Sequence, residues 1–197
     1  VLVVSSALQI NSVAELVALA KKKPDSVSFG SAGNGSSSHL AGVLFANLTS
    51  TDLLHVPYKG SAPLVTDLLS GRVNISFDSY TVYAGHIKSG KVKALAVTSK
   101  DRMQVLPDVP TLNESGLKGY EILNWLGLLA PAGTPDAVIK SLNRVAVQSM
   151  KAADLRQQLL ELGVEPAVST PGQFSDLIKA DGIKWAEIVK KSGATVD

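Results

Sequence analysis

Val27-Ser28-Phe29-Gly30-Ser31-Ala32-Gly33-Asn34-Gly35-Ser36-Ser37-Ser38-His39-Leu40 leads from a short apolar strand, through a glycine turn, into a helix. From about Ser36 the residues Leu40, Ala41, Leu44, Phe45 and Leu48 recur at helical spacing. A glycine-rich turn between a strand and a helix lets backbone N–H groups approach an anion. The helix N-terminus adds its partial positive charge. Three serine hydroxyls add neutral donors. The same residues also make a plain tight turn with a serine cap, and the stretch alone leaves both readings open. Gly30 and Gly35 have P-loop spacing, but Ser36 stands where the lysine belongs, so nucleotide hydrolysis is not expected. The dinucleotide fingerprint fails too, because Ser38 occupies its third glycine position.

The pattern repeats on either side. Val1 to Val4 reads as the inside of a strand. Ser12 and Glu15 form a capping box ahead of Val13, Leu16, Val17 and Ala20, and Pro24 stops that helix. Downstream, Leu53 to Val56 is a strand, and Tyr58-Lys59-Gly60-Ser61-Ala62-Pro63 is a second strand-to-helix turn. Leu64, Leu68 and Leu69 follow at helical spacing, and Gly71 ends the helix. Val73, Ile75 and Phe77 alternate as a strand, with Asp78 directly after. A helix over about 79–88 precedes a strand over Val92 to Val97. Strand and helix in alternation imply a parallel sheet covered by helices. Right-handed crossovers then put the strand C-terminal ends on one edge, where ligands bind.

Beyond residue 100 the rhythm changes. Pro107, Pro110, Gly116 and Gly119 punctuate a loop. Tyr120 to Leu129 is apolar enough for a long strand. Thr134 and Pro135 open a helix striped by Val138, Leu142, Val145 and Met150. Thr170 and Gln173 form a second capping box. Phe174, Leu177, Ile178, Trp185, Ile188 and Val189 stripe the last helix.

Composition excludes several classes. The chain has 197 residues, 45% of them hydrophobic and 18% charged, which is incompatible with disorder. Its length suits one large domain or two small lobes. The net charge is +2, and the densest basic run, Lys21-Lys22-Lys23, ends a helix, so no nucleic-acid footprint is expected. The absence of cysteine removes disulfides, thiolate catalysis and thiolate metal ligands. His39, His55 and His86 lack metal-ligand spacing, so neither metal nor cofactor is expected. No run nears the roughly 18 apolar residues of a membrane span, and no signal peptide is visible.

Individual residues keep two readings. His39, in a first helical turn, could donate to a ligand carboxylate or be a half-exposed surface residue. Asp78 could flank the ligand edge, cap the following helix, or do both. Ser36, His39 and Asp78 are not expected to be a catalytic triad, because the nucleophile elbow is absent and Ser36 and His39 are only three apart. Trp125 and Trp185 are expected in the core.

One ordered set of segments is more specific. It comprises Ser12-Val13-Ala14-Glu15-Leu16, Phe29 through Leu40, Val56-Pro57-Tyr58-Lys59-Gly60 and Asp67-Leu68-Leu69-Ser70-Gly71-Arg72-Val73. It continues with Phe77-Asp78, Pro110-Thr111-Leu112-Asn113-Glu114-Ser115-Gly116 and Ala130-Pro131-Ala132-Gly133-Thr134-Pro135, and ends on Trp185 and Gly193. In this order they resemble the Bug family of periplasmic solute receptors, which serve tripartite tricarboxylate transporters. The resemblance implies an α/β, type II periplasmic-binding-protein fold with two lobes around a cleft. It implies a small mono- or dicarboxylate ligand held by amides, hydroxyls and bridging waters. By motif match, Ser31, Gly33, Asn34, Gly35, Ser36 and His39 would line the pocket, with Gly60 and Asp78 at the same cleft.

The family's opening part of the first lobe, with its Gly-Gly-x-x-Asp loop, has no match here, so the first lobe is expected to be incomplete. Residues 1–8 would be a crossing strand and 9–120 the ligand-contacting lobe. Residues 121–197 would be a second crossing strand and the C-terminal part of the first lobe. The implied role is to bind a carboxylate and deliver it to membrane transporter subunits, in the periplasm, without catalysis. An effector-sensing module of a regulatory system and a carboxylate-handling enzyme are the alternatives. The stripes near 135–150 and 171–190 would lack their cover, so the chain is expected either to self-associate through those helices or to show them poorly ordered.

Overall fold

A computed structural model describes residues 1–192; Gly193, part of the family pattern, lies outside the described residues. They divide into two compact units, Val1–Asn124 with the last helix from Ile188 onward, and Trp125–Glu187.

The first unit holds a five-stranded sheet. Its elements are β1 (Leu2–Ser5), α1 (Val13–Lys22), β2 (Ser28–Ser31), α2 (Ser37–Thr49), β3 (Leu54–Pro57), α3 (Ser61–Leu69), β4 (Ile75–Phe77), α4 (Tyr80–Lys88) and β5 (Val92–Ala96). The strand order is β3-β2-β4-β1-β5. β2 pairs parallel with β3 and β4. The sheet is not wholly parallel, however: β1 lies antiparallel between β4 and β5. Leu2, Val3 and Val4 are fully buried, as befits a central strand covered on both faces.

Two apolar layers sandwich this sheet. On one side Val3, Leu64, Leu68, Val73, Tyr83, Val92 and Val97 pack together. On the other, Phe45 tilts against Phe77 at 5.5 Å, and Phe77 stacks near Tyr120 at 6.4 Å. Tyr120 OH donates to the Ala41 carbonyl of α2 at 2.8 Å, closing the loop region onto the core.

The run from Tyr120 to Leu129 is not a strand. An apolar run becomes a strand only where a neighbour supplies its ladder. Here Ile122 N donates to Thr98 O, and Leu126, Leu128 and Leu129 are 93%, 85% and 77% exposed.

The second unit carries α5 (Asp136–Ser149), α6 (Ala153–Glu161) and most of α7 (Pro171–Ser192). Helix α5 starts one residue later than the sequence suggests, because Pro135 is its cap. The second capping box is made in full: Thr170 N donates to Gln173 Oε1, and Gln173 N to Thr170 Oγ1. Helix α6 has no side-chain cap, which is why no start signal marks it. Neither α5 nor α6 has a buried residue. Trp125 is 40% exposed rather than in a core. Its Nε1 donates to Asp181 at 2.6 Å, and its ring meets Phe174 edge-on at 5.2 Å. Trp185 is only half-buried.

Gly42 in α2 faces the Phe29 ring so closely that a Cβ there would overlap it. In an open helix Gly→Ala gains about 1 kcal/mol. Here the overlap reverses the sign, and Gly42→Ala should cost about 1–3 kcal/mol net, as overpacking does. Urea unfolding of the two proteins measures it, and a more stable variant would contradict the packing.

Candidate functional site

Parallel pairing brings three strand ends level. Ser31 lies opposite Pro57, and Gly30 opposite Ser76. The turns Ala32–Ser36, Tyr58–Gly60 and Asp78–Ser79 therefore leave the sheet at one edge, each opening a helix. Hydrogen bonds join them. Tyr58 N donates to Ser31 O at 2.9 Å and Gly60 N to Ala32 O at 3.0 Å. Ser61 Oγ donates to Asp78 Oδ2 at 2.6 Å.

At the first turn the Ser36 and Ser38 hydroxyls have defined tasks. Ser36 caps α2, accepting from His39 N at 3.3 Å, and its Oγ donates to Gly33 O at 2.6 Å. A hydroxyl has one proton, so Ser38 Oγ must donate to Ser36 Oγ (2.9 Å) while accepting from Ala32 N (2.9 Å). Gly35 has φ 71°, a left-handed conformation that favours glycine, and its N–H donates to His39 Nδ1 at 3.1 Å. His39 Nδ1 is thus an acceptor, which places the ring proton on Nε2.

Several donors remain. Among the described residues, the amides of Asn34, Ser37 and Ser38 have no protein acceptor. The first amides of α3, Ser61 and Ala62, and of α4, Tyr80 and Thr81, are also free, since neither helix has a side-chain cap. Three helix N-termini with unpaired amides at one edge form a cradle for an anion.

All the residues singled out in the sequence fall in or beside this cradle, in different positions. Asn34 is exposed at the tip of the turn, and Gly33, Gly35 and Ser36 shape it. Gly60, at φ 99°, is the residue before α3. Ser31 is fully buried, and His39, at 7% exposure, is not a surface residue. Asp78 is not the cap of α4; Ser79 holds that position. The Asp78 carboxylate instead takes Ser79 N at 2.7 Å and Ser61 Oγ, tying α3 to the β4 turn. Ser36, His39 and Asp78 form no relay, because their polar atoms are bonded to other groups.

His55 was not singled out. It lies opposite Phe29 across the β2–β3 pair. Its ring stacks on His39 at 3.9 Å, 6° from parallel, and on Phe29 at 4.7 Å. Its Nε2 lies 2.7 Å from Ser31 Oγ. The register of two parallel strands is the signal that exposes it, and spacing along one strand is not. Burial lowers the His55 pKa to about 4, with the neighbouring His39 adding to the effect, and burial also lowers His39.

A separate open groove of about 630 Å³ lies wholly in the second unit, lined by Asn143, Arg144, Lys151, Ser169, Thr170 and Gln173 among others. No cradle residue contributes to it.

The histidines set an acid limit on stability. An unfolded histidine binds its proton near pH 6.5, whereas folded His55 binds it near 4. Between those values the unfolded state holds more protons, so stability falls as pH drops from about 6.5 to about 4. Denaturant unfolding across that range should show the loss, with a shallower slope in His55→Gln. Equal slopes would contradict it.

Known proteins are similar to this chain in sequence and fold. The model of the "Tripartite tricarboxylate transporter family receptor" matches residues 1–194. Protein BugT of Bordetella pertussis is 34% identical over 194 residues, covering 98% of this chain and 60% of BugT. The structure of Rhodopseudomonas palustris Rpa4515 with adipate aligns with a TM-score of 0.90 at 33% identity, over 98% of this chain and 65% of that one. MatC from the same organism, with bound malate, aligns with a TM-score of 0.80 at 29% identity, over 95% and 65%. The chain thus spans less than two thirds of the length of each of these proteins.

Proposed function

The chain belongs to the tripartite tricarboxylate transporter receptor family, and on that premise we propose that it is the ligand-contacting part of a periplasmic receptor that binds a small mono- or dicarboxylate and delivers it to the transporter's membrane subunits. The observation that carries this reading is the cradle itself, three helix N-termini with unpaired amides at one sheet edge. A carboxylate is an acceptor-only group, and such amides are its natural partners. Adipate and malate, seen with two relatives, share carboxylate ends but differ in length.

In this reading Gly33, Asn34, Gly35 and Ser36 present the amides, and Gly60 and Asp78 flank the ligand. Ser31 and His39, both buried, hold the turn from within. The donors are neutral. Lys59, the cation on these turns, is exposed and forms no ion pair among the described residues.

Thermal unfolding of the full-length receptor tests this. At about 100 times its Kd a ligand specific for the native state adds about 2.7 kcal/mol. Adipate, malate or citrate should raise Tm, while ATP and NAD should leave it unmoved. Stabilisation by a nucleotide and by no carboxylate would overturn the reading.

The second unit supports one more expectation. Val138, Leu142 and Val145 recur along α5 and are 45%, 57% and 60% exposed. Apolar patches beyond a few hundred Å² usually find a partner. The 197-residue chain should therefore self-associate in light scattering. A monomer that binds no hydrophobic dye would contradict this.

A further inference from the structure

Phe29, His39 and His55 form a three-ring stack against the cradle turn, with Phe29 and His39 6.2 Å apart and both nearer to His55 or stacked on it. Each imidazole commits one nitrogen to that turn. His39 Nδ1 takes the Gly35 N–H directly. His55 works one atom further away. Ser31 Oγ accepts from Gly33 N at 3.3 Å and donates to Gly33 O at 3.1 Å, which leaves a lone pair for the Nε2–H of His55. Gly33 and Gly35 flank Asn34, whose amide is unpaired. The two rings thus grip the turn on either side of its free donor.

This grip is built from neutral groups. Among the described residues neither histidine forms an ion pair. β2 and β4 carry no titratable residue, α2 only His39 and β3 only His55. Of the groups just beyond them, Tyr58 OH is bonded to Asp67, and Asp78 to Ser61 and Ser79.

We propose that His55 is a positioning residue for carboxylate binding: acting through Ser31 and stacked on His39, it fixes Gly33 so that the Asn34 amide points to the ligand. This rests on the carboxylate reading of the cradle. A space-filling ring would keep the stack but lose the bond to Ser31, whereas a side-chain amide would keep a bond without an ionisable ring.

Two measurements on the full-length receptor test it. In calorimetry at neutral pH with adipate and malate as probes, His55→Phe should weaken binding about tenfold, and His55→Gln should restore it to within about threefold. In ligand-free protein, the backbone amide resonance of Gly33 should titrate with His55, near pH 4, in the wild type. That titration should vanish in His55→Phe while the Gly35 amide still follows His39. A purely structural ring would leave Gly33 blind to His55. If His55→Phe does not fold, Ser31→Ala replaces it: with the bond to His55 removed, binding should weaken about tenfold and the Gly33 amide should no longer titrate with His55.

Binding by His55→Phe as tight as the wild type, or a Gly33 amide that ignores His55, would overturn the assignment and leave the carboxylate reading intact. A wild type that binds neither acid, with Gly33 still following His55, would keep the grip on the turn and remove the carboxylate reading.

Discussion

The cradle depends on where β2 sits, between β3 and β4 and parallel to both. That pairing brings Ser31 and Pro57 level, with Gly30 opposite Ser76, so three turns reach one edge together. It also requires close packing. A Cβ on Gly30 would overlap the Leu64 side chain and crowd Val73 at 3.1 Å, so glycine leaves the room that Leu64 of α3 fills against β2. The Tyr58–Ser31 and Gly60–Ala32 bonds then carry the register from the strands into the turns. Geometry at the cradle is thus inherited from strand pairing instead of being set by long side chains.

Such inheritance suits a site made of amides. Lysine or arginine could supply stronger point attraction, but each would have to order a flexible chain on binding. A backbone amide at a helix end is already ordered by the fold. Its partial charge is also modest, so a bound anion is held without a full ion pair. Asp78 fits this economy of charge. Its carboxylate is engaged by Ser61 Oγ and Ser79 N, and it serves as a brace between two turns.

Much of this was legible in sequence because the signals are local. Ser12 and Glu15 announce α1, and Glu15 N does donate to Ser12 Oγ at 3.2 Å. The Glu15 carboxylate reaches back one residue further than expected, to Asn11 N. Thr170 and Gln173 announce α7 in the same way, and the alternation of strands and helices from Val27 to Val97 is realised. What failed was non-local. Nothing in Val1 to Val4 says that β1 enters antiparallel between β4 and β5. Nothing in Tyr120 to Leu129 says that its strand ladder has no neighbour among the described residues. His55 escaped for the same reason: its meaning comes from Phe29, Ser31 and His39, each on another element.

The two units also show what an amphipathic stripe can and cannot establish. In α2, Leu40, Ala41 and Phe45 are buried against the sheet, and in α3, Leu64 and Leu68 are. Helix α5 has an equally regular stripe and buries none of it. The periodicity therefore identifies a face suited to being covered, and its cover is a separate question. For the cradle that question is secondary. The hydrogen bonds that shape it join residues between Ser31 and Ser79, and Val1 to Asp78, all within the first unit. The hydrogen-bonded turns of the cradle lie within Val1–Asn124, and the exposed stripe of α5 is no part of them.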